Sequence, residues 1–246
     1  SILASLPSGV AAHAGGPDGL LLALALDTGD EVRAKQLRTI GESLGEQARE
    51  RAETAFHAIA GLVRSQRLVL LNEIQPDLRR LPQSERRALL ACLNRLVRMD
   101  GGIDIFEYAL ATLARVYLTD DLKPLGERRA TAFHQAIVEL QALFSTLARH
   151  GAQSEDDARR AYEAGIRHLL PTRHPPYNPV AGWPAAMDRA LKCLDRLHAQ
   201  DKARLIEALV MTISHDRRLT AEEAELLRAV CASLHCPLPP LLVQAV

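Results

Sequence analysis

Aromatic side chains make up only 4% of this 246-residue chain, with a single tryptophan, four tyrosines and four phenylalanines. Strands draw on aromatic and β-branched residues, whereas the Leu, Ala and Arg that dominate here favour helices, so an all-α protein is expected. No charge excess exists either: 30 basic and 30 acidic residues cancel. The totals therefore give no basic face for nucleic acid or anionic lipid. Doublets such as Arg79-Arg80 and Arg159-Arg160 alternate with acids and read as solvated helix faces, so no nucleic-acid partner is expected. The four cysteines, Cys92, Cys193, Cys231 and Cys236, lie within helical patterns and not in a loop-rich framework. They read as reduced thiols in a protein with a full core. No long apolar run is present. Residues 20 to 26 form the most apolar stretch, stopped by Asp18 and Asp27 and far short of the roughly 20 residues a bilayer demands. The start, Ser1-Ile2-Leu3, lacks the basic segment of a secretory leader, and the chain reads as a domain of a longer protein. Catalytic signatures are missing as well: no His-Glu-x-x-His, Gly-x-Ser-x-Gly, phosphate loop or dinucleotide fingerprint occurs, and the nine histidines are scattered.

Helical periodicity fills the sequence. Apolar positions predict helices opened near Asp18, opened by Asp30 and closed by Gly45, carried on a stripe from Ala52 to Val63, and running from about Ser65 to Leu78, where Pro76 should shorten the last. A long helix is predicted from Glu127 to His150, with Phe133, Ile137, Leu140, Phe144 and Leu147 as its stripe. Ser154 with Asp157 opens the next helix as a cap. Prolines at 171, 175, 176, 179 and 184 mark a linker that also carries His174, Tyr177 and Trp183. Tyr177 and Trp183 are candidates for anchoring a partner. The expected organisation is an N-terminal helical segment over 1–79, a first repeat with the following helices over 80–170, the Pro-rich linker over 171–184 and a second repeat over 185–246, together one compact unit.

That repeat is the most informative positive feature. Arg80, Leu81, Leu89, Leu93, Asp100, Ile103, Asp104, Glu107, Leu110 and Leu118 recur as Arg196, Leu197, Leu205, Leu209, Asp216, Leu219, Thr220, Glu223, Leu226 and Leu234. Every pair is separated by 216 minus 100, or 116 positions, without a gap. A solenoid would repeat at roughly 20 to 50 residues, so a duplicated helix-turn-helix unit is expected instead. The acids in the turn allow two readings. Asp100, Asp104 and Glu107, with Asp216 and Glu223 as a poorer second set, have oxygens for a divalent cation, yet the calcium-loop pattern is absent. Against this, Asp104-x-x-Glu107 and Thr220-x-x-Glu223 are capping boxes, which explains how Asp becomes Thr between copies. Capping is the expected role, no metal is expected, and Asp100 and Asp216 should close Asx turns.

The segment from Asp100 to Leu110, the segment from Leu219 to Ala229 and the tail from Cys236 to Leu242 resemble the C-terminal region of bacterial membrane-bound zinc metallopeptidases of the HtpX and CAAX-prenyl-protease type. The Asp-Gly-x-Ile-x-x-x-Glu units are similar to TerB-like helical domains, and residues 21 to 37 resemble the start of the same C-terminal region. The resemblance implies a helical bundle with two TerB-like units, forming the accessory part of a membrane-anchored endopeptidase of protein quality control. It implies zinc in the parent's catalytic domain, the parent peptidase domain and protein substrates as partners, and a place at the cytoplasmic face of the bacterial inner membrane without direct insertion by this chain. The family's His-Glu-x-x-His has no counterpart here, so none of its catalytic residues carries over. The alternative is a TerB-like protein- or divalent-ion-binding module with no link to proteolysis. A cleft between the repeats, bordered by the Pro-rich stretch, is the expected working surface.

Overall fold

The computed structural model describes residues 16–99, 101–119 and 131–240. Its regular elements are α1 (Gly16–Leu24), α2 (Asp30–Leu44), α3 (Glu46–Ala58), α4 (Arg64–Arg80), α5 (Gln83–Leu96) and α6 (Ile105–Thr119), then a 3-10 turn (Phe133–Gln135). After it come α7 (Ile137–Gly151), α8 (Glu155–Leu169), α9 (Trp183–Leu194), α10 (Ala199–Ile213) and α11 (Ala221–Ser233). Among the described residues no strand forms, and the nearest approach to one is an isolated parallel bridge between Thr131 and Leu197. The all-helical expectation holds. No described helix is long and apolar enough to cross a membrane. The described residues divide into two compact units, 16–119 and 131–240, so that each unit holds one copy of the repeat. This boundary falls inside the segment 80–170.

In the first unit, the short α1 is the core, with residues 20 to 26 no more than 6% exposed. It packs against α3 and α4, while α2 covers α3 and α5, and α6 lies on α4 and α5. Gly19 permits the α1 contact, because a Cβ there would sit 3.1 Å from the Arg51 backbone carbonyl. The same arginine pairs with Asp18 at 2.6 Å. Buried Gln36 stitches three segments together: its Nε2 donates to Ala25 O at 3.0 Å and Leu96 O at 3.4 Å, and its Oε1 accepts from the Asp27 amide at 2.7 Å. A buried amide is tolerated only when its groups are so occupied.

The second unit is organised around α7, whose residues 142 to 148 are all buried and which packs on α8, α9, α10 and α11. α8 and α10 approach closely at Gly165. A Cβ there would meet Thr212 Oγ1 at 2.0 Å, Ala208 O at 2.5 Å and Phe144 at 2.8 Å. The Pro-rich stretch is not a spacer between bodies. It is an extended strap within this unit, since Tyr162 donates to Pro175 O at 2.8 Å, Gln141 to Pro176 O at 2.8 Å, and the Asn178 amide to Ser145 Oγ at 3.2 Å. Pro184 belongs to the first turn of α9, where its missing N–H costs nothing.

The hairpins start in register: α5 and α10 begin at 83 and 199, and α6 and α11 at 105 and 221, both 116 apart. Four local expectations need correction. The helix expected from Glu127 begins only at Ile137, because Thr131 donates its amide to Arg196 O at 3.0 Å and Gln135 folds back onto the Ala132 amide; residues 127–130 lie outside the described ones. Pro76 does not shorten α4, which runs on to Arg80 with the proline inside it and exposed. The α3 stripe stops at Ala58, leaving Val63 59% exposed at the mouth of α4. Asp30 is the first residue of α2 and not its cap; Gly29 takes that place, its amide held by Asp27 at 2.6 Å.

Alanine in place of an interior helical glycine ordinarily stabilises by about 0.5–1 kcal/mol. Gly41→Ala in α2 should follow that rule, since its Cβ would meet nothing nearer than 3.5 Å. Gly165→Ala should reverse the sign and cost about 1–3 kcal/mol by forcing α8 off α10. Urea unfolding of both variants checks the contrast, and equal shifts would refute the close-approach account.

Candidate functional site

The acidic turn residues are occupied by helix ends. Asp104 Oδ1 accepts the Glu107 amide at 2.7 Å, and Glu107 Oε2 accepts the Asp104 amide at 2.9 Å. In the second copy Thr220 Oγ1 accepts the Glu223 amide at 3.2 Å and Glu223 Oε2 accepts the Thr220 amide at 2.8 Å. Asp216 closes an Asx turn by accepting from the Arg218 amide at 2.9 Å. Asp100 lies outside the described residues. Among the described residues no group of three or more His, Cys, Asp or Glu is placed to hold a metal ion. Glu223 is 4% exposed, and burial pushes its carboxyl above the ordinary value against the two Thr220 hydrogen bonds that lower it. It nests over Gly151, where a Cβ would fall 2.0 Å from Glu223 Oε1.

Tyr177 and Trp183 are spatially separate roles within the second unit. The Tyr177 ring lies edge-on to Tyr162 at 5.6 Å, and Tyr162 lies edge-on to Phe144 at 6.5 Å, so the three rings fasten the strap to α7 and α8. Trp183 lies edge-on to His150 at 5.0 Å, between the start of α9 and the end of α7. Burial, with Arg149 beside it, pushes the His150 imidazole below its ordinary value, and Glu222 only partly offsets this.

Sequence reasoning missed a groove of about 840 Å³ in the second unit. α10 forms one wall through Ile206, Val210 and Met211, and the extended tail after α11 contributes Pro237, Leu238 and Pro239. Met211 is 46% exposed. Near the start of α10, Lys202 lines the groove while donating to Asp195 Oδ1 at 2.9 Å and to Leu234 O at 3.0 Å. The first copy holds the same cation contact: Arg86 Nη1 donates to Leu118 O at 3.5 Å, and both residues are offset by 116 from their counterparts. What differs is the outward face of the first helix. Arg87, Asn94 and Arg95 in α5 become Ala203, Val210 and Met211 in α10. That polar-to-apolar change was available in the aligned copies as a signal. Cys236 also lines the groove, but burial raises its thiol, and burial beside Cys236 pushes Cys231 up to about 12, so neither is a ready nucleophile.

No protein-family model, curated protein or solved structure matches the chain.

Removing either cap oxygen, Asp104→Ala or Thr220→Ala, should cost about 1 kcal/mol. Calorimetry should show no cation binding lost with it; micromolar calcium, magnesium or zinc binding abolished by Asp104→Ala would overturn the capping role. His150 gives a pH dependence of defined sign. Its folded-state value is lowered, so as pH falls through about 6.5 the unfolded chain takes the proton first and stability drops. Glu223 works oppositely, adding stability as pH falls through its raised value. Urea midpoints measured between about pH 7.5 and 5.5 should therefore decline, and His150→Phe, which keeps an aromatic beside Trp183, should flatten the decline. An unchanged slope in the variant would assign the effect elsewhere.

Proposed function

We propose that this chain is a non-catalytic binding module, a substrate-recruiting accessory region of a membrane-anchored, zinc-dependent endopeptidase of protein quality control at the cytoplasmic face of the bacterial inner membrane. The observation that carries the binding role is the apolar face of α10. The two hairpins keep their caps, core leucines and the cation that serves the second helix's last carbonyl, yet only the second has Ala203, Val210 and Met211 where the first has Arg87, Asn94 and Arg95. A folded hairpin does not require that change, because the first copy stands without it. An apolar groove of this size takes the side chains of an extended or helical polypeptide segment, which unfolded substrates expose. The link to the peptidase is supported by the resemblance of the two turn segments and the tail to that family, with TerB-like character in the hairpins. Zinc belongs to the parent's catalytic domain in this reading. Among the described residues the turn acids serve helix amides, and no group of three or more His, Cys, Asp or Glu is placed to hold a metal ion.

The purified chain should not degrade unfolded casein with added zinc, whereas the full-length protein should do so in a chelator-sensitive manner. Within the full-length protein, Met211→Glu should raise KM for casein about tenfold, a loss of ~1.4 kcal/mol in binding, while leaving hydrolysis of a short peptide unchanged. Chelator-sensitive cleavage by the isolated chain, or an unaltered KM in the variant, would reject the recruiting role.

A further inference from the structure

We infer that the groove receives the free C-terminal end of a polypeptide, its last apolar side chains along α10 and its terminal carboxylate at Lys202. The inference rests on the groove being a polypeptide-binding site and specifies which segment it selects.

Lys202 is the central observation. Its side chain is 14% exposed and fixed in place by Asp195 and by the Leu234 carbonyl. An ammonium group has three donors, and these contacts use two. The third N–H belongs to a cation that lines a mostly apolar groove. A largely enclosed donor in such surroundings gains most from an anionic acceptor, because less water competes for it. The surroundings add to this. Lys202 stands in the first turn of α10, whose N-cap, His198, makes no side-chain cap bond. The positive end of this 15-residue helix therefore adds to the field that an anion at Lys202 would meet. His235 lies on the other side, its Nε2 3.8 Å from Asp195 Oδ1, held there by a left-handed backbone with φ of 56°. Two acids are close as well. Asp195 is already paired with Lys202, and Asp201 faces Arg204 at 3.4 Å.

Polarity along the groove sets the direction of the chain. Glu207 lines it five residues beyond Lys202, roughly 7.5 Å along the helix axis, and would repel a carboxylate placed there. The terminus consequently sits at the Lys202 end, with the apolar side chains running past Ile206 toward Val210 and Met211. The opposite wall favours a peptide over a fatty acid. Residues 237 to 240 read Pro-Leu-Pro-Pro, so three of four positions have no backbone N–H and the wall offers carbonyl acceptors almost without donors. Peptide amides satisfy such acceptors, whereas an alkyl chain leaves them unmet.

The test is calorimetric titration of the full chain with an acetylated octapeptide ending in three leucines, as the free acid and as the C-terminal amide. The acid should bind at least about tenfold tighter than the amide. Met211→Glu, at an exposed position, should abolish both, and Lys202→Gln, if its thermal unfolding remains cooperative, should erase the acid preference alone. Equal binding of acid and amide, both lost in Met211→Glu, would overturn the carboxylate assignment while leaving the groove as a polypeptide site. Failure of both peptides would overturn the groove reading too. Binding of dodecanoate without binding of either peptide would overturn the inference in favour of a lipid.

Discussion

A helix that ends inside a folded body leaves its last carbonyls without helical donors, and the placement of both hairpins depends on how that need is met. Buried leucines, Leu118 and Leu234, stand at the C-terminal ends of α6 and α11, and the carbonyl of each is served by a cation from the preceding helix, Arg86 or Lys202. An unserved buried carbonyl costs about 1–3 kcal/mol, and a cation at a helix C-terminus returns about 0.3–1 kcal/mol beyond the bond itself. The same two helices begin with reciprocal caps that occupy their first amides. With both ends satisfied, the two helices of each pair lie locked in one register, which is why their starts keep the 116-residue separation. Core leucines supply the bulk of the burial, but leucines alone would tolerate sliding.

Because the ends carry the geometry, the outward face of the first helix is free to change. α5 uses its face for Arg95, which donates to Ser43 on α2 at 2.9 Å. α10 uses the matching position for Met211. A surface released from structural duty in this way can acquire recognition without endangering the fold, and the tail after α11 completes it with a wall poor in donors. Lys202 then serves two ends: a structural bond to Leu234 and a donor toward the groove.

Much of this was legible in the residues. Repetition of caps and leucines announced the hairpins, and the Asp-to-Thr exchange at 104 and 220 separated a cap from a ligand before any distance was known. Other elements escaped because their causes are remote in sequence. The helix expected from Glu127 to His150 fails at 131 to 136, where Thr131 finds Arg196, a partner 65 residues away that periodicity does not register. Proline density made 171 to 184 look like a linker, yet Tyr162, Gln141 and Ser145 bind it to the unit through bonds with no local signature. The groove was hidden for another reason. Val210 falls on the same helical period as true core residues, and only comparison with Asn94 in the other copy sets it apart.

Trp183 is the chain's single tryptophan, and its ring meets the His150 imidazole at 5.0 Å. Long-wavelength intrinsic fluorescence therefore originates at one spot, where α9 starts and α7 ends, and an imidazolium quenches such emission far more strongly than a neutral ring does. The first unit has only tyrosine and phenylalanine and contributes nothing at those wavelengths. The protein thus carries an optical probe for one unit and silence for the other, so a smooth emission curve describes the second unit and leaves the first to be followed by helical dichroism.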